Sequence, residues 1–305
     1  MQNALVSAVI TSYNRPSSML ERAVKSVINQ TYTNIELIVV DDNRDNPSGN
    51  EFSNQIKLLS DKYNFILLKT ADGKHGGQAA RNTGIIAAKG EYVAFLDDDD
   101  EWQPEKIRKQ ILLLSQRPDA GMCFCRGEKV DENFDPPKIY EYHGKDFKCE
   151  VTRKDLLIAD CIGTTSQAVI RKTVLDEVGG FDERFPARQD YEMWVNITGN
   201  YVAVGVDEPL FLYHISKGEK SVARSFDKCI EGYKLLNEKY IDDIKCSKRA
   251  RFNIIFHLGH FHWFNGARIV GAGYYIKAFL VSPMSFWDKG IIKINSIILQ
   301  MKNKK

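Results

Sequence analysis

The chain has 305 residues, enough for one large domain or for one domain with an appendage. It has 43% hydrophobic and 27% charged residues, as soluble globular proteins do, and its net charge of +2 provides no global field that would attract nucleic acid. The six cysteines show no Cys-x-x-Cys spacing and no signal-peptide pattern precedes them, so we expect reduced thiols in the cytosol and no zinc site. No apolar run reaches the roughly 18 residues of a membrane span.

The first third of the chain alternates apolar runs with segments of helical periodicity. Strands are predicted at Val6–Thr11, Ile35–Asn43, Phe65–Thr70 and Tyr92–Leu96, and helices at Ser17–Gln30, Ser53–Tyr63, Gly76–Gly90 and Pro104–Ser115. Because the strands are continuous apolar runs, they predict a parallel sheet that is covered on both faces. Ligands of such sheets bind beyond the carboxyl ends of the strands.

The rest of the chain is less regular. Short strands are predicted at Met122–Phe124, Lys138–Tyr142 and Ala168–Arg171, a helix begins near Asp190, and a strand pair spans Tyr201–Ser216 around Pro209. After Ser225 the pattern is helical and aromatic, which places a boundary near Ser221.

Two predicted strands end in aspartates. Asp41 and Asp42 lie at the end of the second strand, and Asp97–Asp100 follow the apolar residues of the fourth. Carboxylates there suit Mg²⁺ or Mn²⁺, which takes one or two of them and completes its coordination with substrate phosphates and water. A single Asp-Asp pair would suit a solvated, helix-capping loop equally well. Four aspartates after a buried strand favour a metal and diphosphate site, because burying carboxylates without a partner is costly.

Two other charged residues have both a functional and a structural interpretation. Arg81 lies one turn inside the helix that begins in "HGGQ", where it could hold a uracil carbonyl or a phosphate, or be an ordinary surface arginine. Asp190 follows a Gly-Gly-Phe-Asp turn at the start of a helix, where it could cap that helix or act as a general base. Spacing does not choose between these roles.

Four stretches together resemble the family 2 inverting glycosyltransferases with the GT-A fold. They are "VSAVITSYNRP", "SVINQTYTNIELIVVDDN", "GGQAARNTGIIAAKGEYVAFLDDDDEWQPEKI" and "GGFDERFPARQDYEMW". The resemblance runs from Val6 to about Tyr213. It implies an α/β fold with a doubly wound, mainly parallel sheet in residues 1–220, with a nucleotide-binding half (1–115) and an acceptor-binding half (116–220). Residues 221–305 would form a helical C-terminal region.

The resemblance also implies how the donor binds. The uridine of a UDP-sugar would contact four residues: Thr11, Tyr13, Asp41 and Arg81. The stretch Asp97–Asp99 matches the Asp-x-Asp motif of the family. Asp98 would face the ribose or sugar, Asp99 would bind Mn²⁺ or Mg²⁺, and Asp97 would support them. Asp100 would cap a helix or face solvent.

Further roles follow on the acceptor side. Asp190 matches the catalytic base, although Gln189 stands where a glutamate is common. Trp102 and Trp194 would form walls for sugar rings, although Trp194 could instead belong to the core. His214 lies at a strand end where some relatives contact metal or phosphate, which makes it a second candidate metal ligand beside a purely structural role.

The implied reaction is the transfer of one sugar, a hexose or N-acetylhexosamine, to a hydroxyl of a glycan acceptor with inversion. Processive relatives carry a Gln-x-x-Arg-Trp motif and several membrane spans, and this sequence has neither. Two alternatives stay open. A sugar-nucleotide nucleotidyltransferase would need a Gly-rich, lysine-bearing loop after strand one, which "TSYNRPSS" does not provide. A non-catalytic nucleotide-sugar binding module would tolerate the loss of Asp190.

The C-terminal third combines aromatic residues with lysine and arginine. Such a composition fits a helical subdomain, and it also fits an amphipathic surface that lies in a membrane interface. We favour the second interpretation. An acceptor on a polyprenyl diphosphate lipid would explain it and would place the enzyme in the cytoplasm, peripheral on the inner face of the plasma membrane. The resemblance thus suggests capsule, O-antigen or other surface polysaccharide biosynthesis.

Overall fold

The computed structural model describes residues 4–43, 49–142, 147–215 and 225–289, which divide into two compact units. The larger unit contains the described residues of Met1–Arg153, Cys161–Glu183 and Gln189–Glu219. The helical unit contains those of Lys154–Asp160, Arg184–Arg188 and Lys220–Lys305. The predicted boundary at residues 220 and 221 lies outside the described residues and stays a prediction, as does the division into two halves.

Ten strands form one sheet in the larger unit. They are β1 (Val6–Ser12), β2 (Ile35–Asp41), β3 (Ile66–Lys69), β4 (Tyr92–Asp97), β5 (Glu101–Trp102), β6 (Ala120–Asp131), β7 (Lys138–Tyr142), β8 (Glu150–Val151), β9 (Val169–Arg171) and β10 (Val202–Ile215). The main order is β3-β2-β1-β4-β9-β6-β10-β5, with β7 beside β6 and β8 beside β10.

The helices lie between and after these strands. They are α1 (Ser17–Ile28), α2 (Gly49–Tyr63), α3 (Gly77–Ala87), α4 (Lys106–Gln116), α5 (Arg153–Ile158), α6 (Lys172–Val178), α7 (Gln189–Ile197), α8 (Phe226–Lys239), α9 (Ile241–Lys245), α10 (Lys248–Phe264) and α11 (Arg268–Val281). Residues 165–167 form a short 3₁₀ turn and residues 283–289 are helical.

The parallel part of the sheet matches the sequence interpretation. Strands β3, β2, β1 and β4 run parallel, and β1 is buried along almost its whole length. Helix α3 approaches β1 closely at Gly84, where a side-chain β-carbon would collide with Val9. This close contact fixes α3, and therefore Arg81, against the sheet. The carboxyl ends of β1, β2 and β4 consequently meet at one edge.

The second half of the sheet is mixed. Strand β9 pairs antiparallel with both β4 and β6, whereas β6 and β10 pair in parallel. The strand pair predicted over Tyr201–Ser216 is one strand, β10, with register shifts around Pro209. Proline has no N–H to donate to a ladder, so it interrupts the pairing without ending the strand. The fold class of an α/β protein with a mostly parallel central sheet is confirmed.

The helical unit has a small aromatic core and a large exposed apolar surface. Phe252, Phe256 and Ala278 form the buried cluster, and α10 begins at the Ser247 side chain, which accepts a hydrogen bond from the backbone N–H of Ala250 (3.2 Å). Nine apolar side chains of the unit are 40–91% exposed: Trp263, Phe264, Ile269, Val270, Ile276, Phe279, Leu280, Met284 and Trp287. No helix in the described ranges combines the length and apolar character needed to cross a bilayer.

Candidate active site

The first side of the site is formed by the ends of β1 and β2. In the sheet register Thr11 lies between Val40 and Asp97, and Tyr13, just beyond the strand, is 53% exposed. Asn14 has a left-handed backbone (φ 53°), and its N–H donates to Oδ1 of Asn43 at 2.7 Å. This bond ties the loop after β1 to the loop after β2.

The aspartates that follow β2 are buried and well supplied with hydrogen bonds. Asp41 accepts bonds from the backbone N–H (3.0 Å) and side-chain amide (2.8 Å) of Asn43, and from the Ser53 hydroxyl. Asp42 accepts bonds from the Thr70 hydroxyl (2.8 Å) and the Gly76 N–H (2.9 Å), while its burial raises its pKa. These contacts hold the loop before α3 against the end of β2.

Arg81 and Asp97 form an ion pair at the centre of this edge. Arg81 is 8% exposed, its Nη2 donates to Oδ1 of Asp97 at 2.5 Å, and its guanidinium lies 5.6 Å from the Phe181 ring centroid. The Thr165 hydroxyl donates to the same Asp97 oxygen at 3.2 Å. Arg81 is therefore not an ordinary surface arginine, since it neutralises the first member of the acidic loop (Asp97–Asp100).

The next two members of the acidic loop share a second arginine. Nε of Arg15 donates to Oδ1 of Asp98 at 3.2 Å, and its Nη2 donates to Oδ2 of Asp99. The other oxygen of Asp98, Oδ2, is buried and accepts no hydrogen bond from the residues that the structure describes. Burial and then the charge of Asp99 raise the pKa of Asp98 to about 7, against the opposing effect of Arg15.

Asp100 neither caps a helix nor faces solvent, which corrects the sequence interpretation. It is fully buried, its Oδ2 accepts a 2.6 Å bond from the Ser166 hydroxyl, and burial raises its pKa well above the ordinary value. The same hydroxyl accepts a bond from the Asp97 backbone N–H at 3.1 Å. Ser166 therefore holds both ends of the acidic loop, while Thr165 holds the Asp97 carboxylate.

The two tryptophans expected to line sugar rings belong to the core instead. Trp102 is 2% exposed, its indole N–H donates to the Ser166 carbonyl at 3.0 Å, and the Lys106 ammonium lies 4.3 Å from its ring centroid. Trp194 is 0% exposed and donates to the Gly163 carbonyl at 2.9 Å. With no free ring face, neither can stack on a sugar.

His214 lies in a polar cluster beside the acidic loop. Its Nδ1 is 2.8 Å from Oε1 of Glu132, and its Nε2 is 3.4 Å from Oε2 of Glu101. Arg22 joins the cluster to the loop, because it donates to Glu132 (2.8 Å) and to the carbonyl of Asp99 (2.9 Å). The metal-binding role of His214 stays a prediction.

Asp190 is the second residue of α7 and is partly exposed. Its Oδ1 accepts a 2.8 Å bond from the N–H of Tyr191. The position in the first turn is favourable for a carboxylate because of the helix dipole. Partial exposure is compatible with capping and with proton transfer alike, so the role of base stays a prediction.

The acidic loop fits a divalent cation. Hard cations prefer oxygen ligands, and the loop presents Asp99 at the surface and an oxygen of Asp98 without a hydrogen-bond donor. The described residues contain no group of three or more histidine, cysteine or acidic side chains that could hold a metal ion. A cation here would therefore depend on substrate oxygens and water for most of its coordination.

This architecture is matched by the family model for "Glycosyl transferase family 2", which covers residues 7–179. More than half of the chain lies within the match, and the chain therefore belongs to this family. It has the GT-A fold, as the sequence resemblance implied. The nucleotidyltransferase alternative is set aside on this ground.

Three of the similar proteins show the range of relatives. The chain is 28% identical over 263 residues to "Putative colanic acid biosynthesis glycosyl transferase WcaA" of Escherichia coli K12, covering 84% of this chain and 88% of that protein. It is 28% identical over 197 residues to "UDP-Glc:alpha-D-GlcNAc-diphosphoundecaprenol beta-1,3-glucosyltransferase WfgD" of Escherichia coli, covering 65% and 71%. A solved mannosyltransferase of Pyrobaculum calidifontis, in complex with GDP-Man and Mn²⁺, superposes with a TM-score of 0.57 at 16% identity, covering 97% and 80%.

Sequence reasoning missed several residues that organise this site, namely Arg15, Arg22, Thr165 and Ser166. Arg15 lies in the stretch that carried the resemblance, directly after β1, and its position at a strand end was the available signal. Ser166 had no such signal, because its partners Asp97 and Asp100 are more than sixty residues away in the chain.

Proposed function

We propose that the protein is an inverting, metal-dependent glycosyltransferase that moves one hexose or N-acetylhexosamine from a UDP-sugar to a hydroxyl of a glycan acceptor. The observation that carries this proposal is the acidic loop at the shared edge of β1, β2 and β4, with an Asp98 oxygen that no described residue satisfies. A relative is named for a UDP-Glc donor and a diphosphoundecaprenol acceptor, which supports the nucleotide and a lipid-diphosphate-linked acceptor. A GDP-Man complex on the same fold makes the base of the nucleotide a point to test.

In this proposal the uridine lies on Thr11, Tyr13 and Asp41, where the exposed Tyr13 ring is free to cover a base. Asp41 is held in place by its own hydrogen bonds, and Arg81 fixes Asp97 below the donor. Asp99, with a contribution from Asp98, would hold Mn²⁺ or Mg²⁺. When bound, such an ion neutralises the negative charge that develops on the departing diphosphate.

Asp190 then acts as the base. Its carboxylate takes the proton of the acceptor hydroxyl, and the oxygen attacks the anomeric carbon from the face opposite the nucleotide. The bond between that carbon and the phosphate oxygen breaks, and UDP leaves with the electron pair. One displacement inverts the anomeric configuration, so an α-linked donor gives a β-glycoside without a covalent sugar–enzyme intermediate.

The test is a panel of UDP- and GDP-sugars with purified protein, with Mn²⁺, with Mg²⁺ and with EDTA, where nucleotide release and product anomer are measured. We expect turnover with a UDP-sugar that EDTA abolishes and either ion restores. The role of Asp190 is tested by substitution. Asp190→Asn should lower turnover by about 10²–10⁴-fold and keep UDP binding.

Asp176→Asn is the control. It removes a carboxylate from the Lys172–Asp176 surface pair and should have no effect on turnover. Undiminished turnover in Asp190→Asn would refute the base, and no metal-dependent turnover or binding with any nucleotide sugar would refute the main proposal.

We further propose that the helical unit binds the membrane surface that carries the acceptor. The nine exposed apolar side chains named above belong to this unit, and residues 248–289 contain six lysines or arginines and one acidic residue. Apolar side chains with surrounding cations favour insertion at an anionic lipid surface. This would place the enzyme on the inner face of the plasma membrane, in surface polysaccharide biosynthesis, as the colanic acid name of one relative also supports.

Flotation with phosphatidylglycerol vesicles tests the membrane proposal. We expect the full chain to float with these vesicles and the double variant Leu280→Glu, Trp287→Glu to stay at the bottom. Ile86→Glu changes an equally exposed side chain of the larger unit (84% exposed) and should float like the unchanged protein. Equal flotation of all three proteins would exclude this surface, and no flotation of the unchanged protein would exclude membrane binding.

A further inference from the structure

The peptide group that follows Asp99 is held at both of its polar ends. The acidic loop is a tight turn, in which the N–H of Asp100 donates to the carbonyl of Asp97 at 3.1 Å. The carbonyl of the same peptide group, that of Asp99, accepts a 2.9 Å hydrogen bond from Nη2 of Arg22. Because a peptide group is planar, bonds at its two ends keep it from rotating. They therefore fix the backbone from which the Asp99 carboxylate projects.

Arg22 is itself anchored on a distant segment. It lies on α1, and its Nη1 donates to Oε1 of Glu132 at 2.8 Å. Glu132 follows β6, and its backbone N–H donates to the carbonyl of Ile215, the last residue of β10, at 3.0 Å. The Arg22 side chain is 27% exposed and the Glu132 side chain 30%, so their charge-assisted bond is partly shielded from water. The guanidinium fork thus ties the acidic loop to the paired ends of β6 and β10.

The bond to a backbone carbonyl gives Arg22 an effect that differs in sign from the effect of its charge. The positive charge alone would weaken the binding of a divalent cation in the acidic loop, because like charges repel. A fixed turn strengthens the binding of that cation, since a ligand that is already held in place loses less conformational entropy when the ion arrives. Removal of the side chain therefore tells which effect is larger.

We propose that Arg22 is a positioning residue for the divalent cation: it fixes the turn that carries Asp99 and thereby strengthens cation binding. This inference rests on the proposed function, in which Asp99 is a ligand of Mn²⁺ or Mg²⁺. Arg22 acts on the main chain of the ligand residue and not on the ion itself. Loss of its fork should weaken cation binding and leave the uridine contacts at the ends of β1 and β2 unchanged.

The experiment measures binding rather than turnover. Mn²⁺ is titrated calorimetrically into metal-free full-length protein with saturating UDP, and UDP is titrated into the same protein with saturating Mn²⁺. We expect Mn²⁺ to bind Arg22→Met about tenfold more weakly than the unchanged protein, because the turn is released. UDP affinity should stay within about twofold of the unchanged value, since the uridine contacts are made by other residues.

Two further variants separate positioning from charge and from folding. Arg22→Lys keeps the charge and a donor but loses the fork, so its Mn²⁺ affinity should lie between those of Arg22→Met and the unchanged protein. Arg117→Met removes the same charge from a guanidinium that also bonds two groups, the carboxylates of Asp119 and Glu150, and should leave Mn²⁺ affinity unchanged. If Arg22→Met does not fold, Arg22→Lys decides alone, and it should bind Mn²⁺ more weakly than the unchanged protein.

The outcomes discriminate between these roles. Weaker Mn²⁺ binding in Arg22→Met, with partial recovery in Arg22→Lys and unchanged UDP affinity, supports positioning. Unchanged or tighter Mn²⁺ binding in Arg22→Met overturns it, as does an equal loss in Arg117→Met. Equal losses of Mn²⁺ and UDP affinity, together with a lower free energy of unfolding in urea, would show a general structural role and also overturn it. An unchanged protein that binds neither Mn²⁺ nor UDP refutes the proposed function instead.

Discussion

Strands β2 and β4 both end in aspartates, yet the two ends differ in how far the protein itself satisfies them. After β2, Asp41 accepts three hydrogen bonds and Asp42 accepts two. After β4, Oδ2 of Asp98 and Oδ1 of Asp100 accept none from the described residues. Similar runs of aspartate in the sequence thus cover two physical states. At the end of β2, the completed end, described residues supply the donors, whereas at the end of β4, the open end, two buried carboxylate oxygens have no donor among them.

The difference arises from what surrounds each end. The end of β2 is met by donors from several segments, namely Asn43, Ser53, Thr70 and the Gly76 N–H. The acidic loop after β4 turns at once into β5, so that its four carboxylates crowd into one short turn. Like charges in a buried setting raise one another's pKa and leave oxygen atoms without donors.

The largest expected effect is on kcat, which should differ between variants at the two acidic ends. Asp99→Asn removes the proposed cation ligand and should lower kcat about a thousandfold, because transition-state charge loses its stabilisation. Asp41→Asn changes the completed end and should mainly raise KM for the UDP-sugar. Steady-state kinetics at saturating Mn²⁺ measure both. Equal losses of kcat in the two variants would erase the distinction between the ends.

The second effect is a pH dependence of stability to which Asp98, at the open end, contributes. Burial and Asp99 raise the pKa of Asp98 from 3.8 to about 7 despite Arg15, and Asp97 adds to the rise. Between these two values the folded protein holds a proton that the unfolded chain has lost, so raising the pH through this window destabilises the fold.

We therefore expect the free energy of unfolding in EDTA to fall between pH 5 and pH 8 by about 2 kcal/mol more in the unchanged protein than in Asp98→Asn. Urea unfolding at both pH values measures the difference. The contributions of titrating groups that both proteins share cancel when the two changes in the free energy of unfolding are compared. Parallel pH profiles would show that Asp98 ionises in the fold as it does in the unfolded chain.

The sequence predicted the parallel half of the sheet closely. β1, β2, β3 and β4 begin and end within one or two residues of the predicted positions, because continuous apolar runs bounded by polar residues mark buried strands clearly. The antiparallel insertion of β9 between β4 and β6 could not be predicted. Strand order depends on tertiary pairing, and three residues of β9 carry no periodicity that reveals it.

The sequence predicted which residue types the candidate site contains, but not which of their side chains are buried. Four aspartates after a strand favoured a metal and diphosphate site, and Arg81 near a helix start was left open between a ligand contact and a surface position. The burial of Asp100 and of Trp102 was missed, since both depend on Ser166, which lies on a distant segment. A run of aspartates in the sequence does not show which carboxylate points into the core, because that depends on the segment that packs against it.

The third effect is one of stability at the completed end. Asp41→Asn keeps the shape of the side chain but weakens a charged acceptor that serves Asn43 and Ser53, and it introduces an amide N–H that faces donors. We expect a loss of about 2 kcal/mol in the free energy of unfolding. Asp99→Asn, at the open end, should leave stability within about 0.5 kcal/mol of the unchanged protein. Urea unfolding in EDTA at pH 7 compares them, and equal losses would contradict the comparison.

The smallest expected effect concerns Ser166, which positions the acidic loop although some of the loop's carboxylate oxygens have no hydrogen-bond donor. Ser166 accepts from the Asp97 N–H (3.1 Å) and donates to Asp100 (2.6 Å), so Ser166→Ala leaves a buried donor and a buried carboxyl without a partner. We expect kcat/KM to fall about tenfold and Mn²⁺ affinity in the presence of UDP to fall with it, because the loop is less well positioned. Ser166→Thr keeps the hydroxyl and should recover most of kcat/KM and of the Mn²⁺ affinity.

Ser60→Ala is the matched control, because it removes a hydroxyl that is bonded to the Phe65 carbonyl. It should change neither kcat/KM nor the Mn²⁺ affinity. If Ser166→Ala lowers stability but leaves Mn²⁺ affinity unchanged, the open end is shaped by its contacts with Arg15, Arg22, Arg81 and Thr165, and the serine only fills the core.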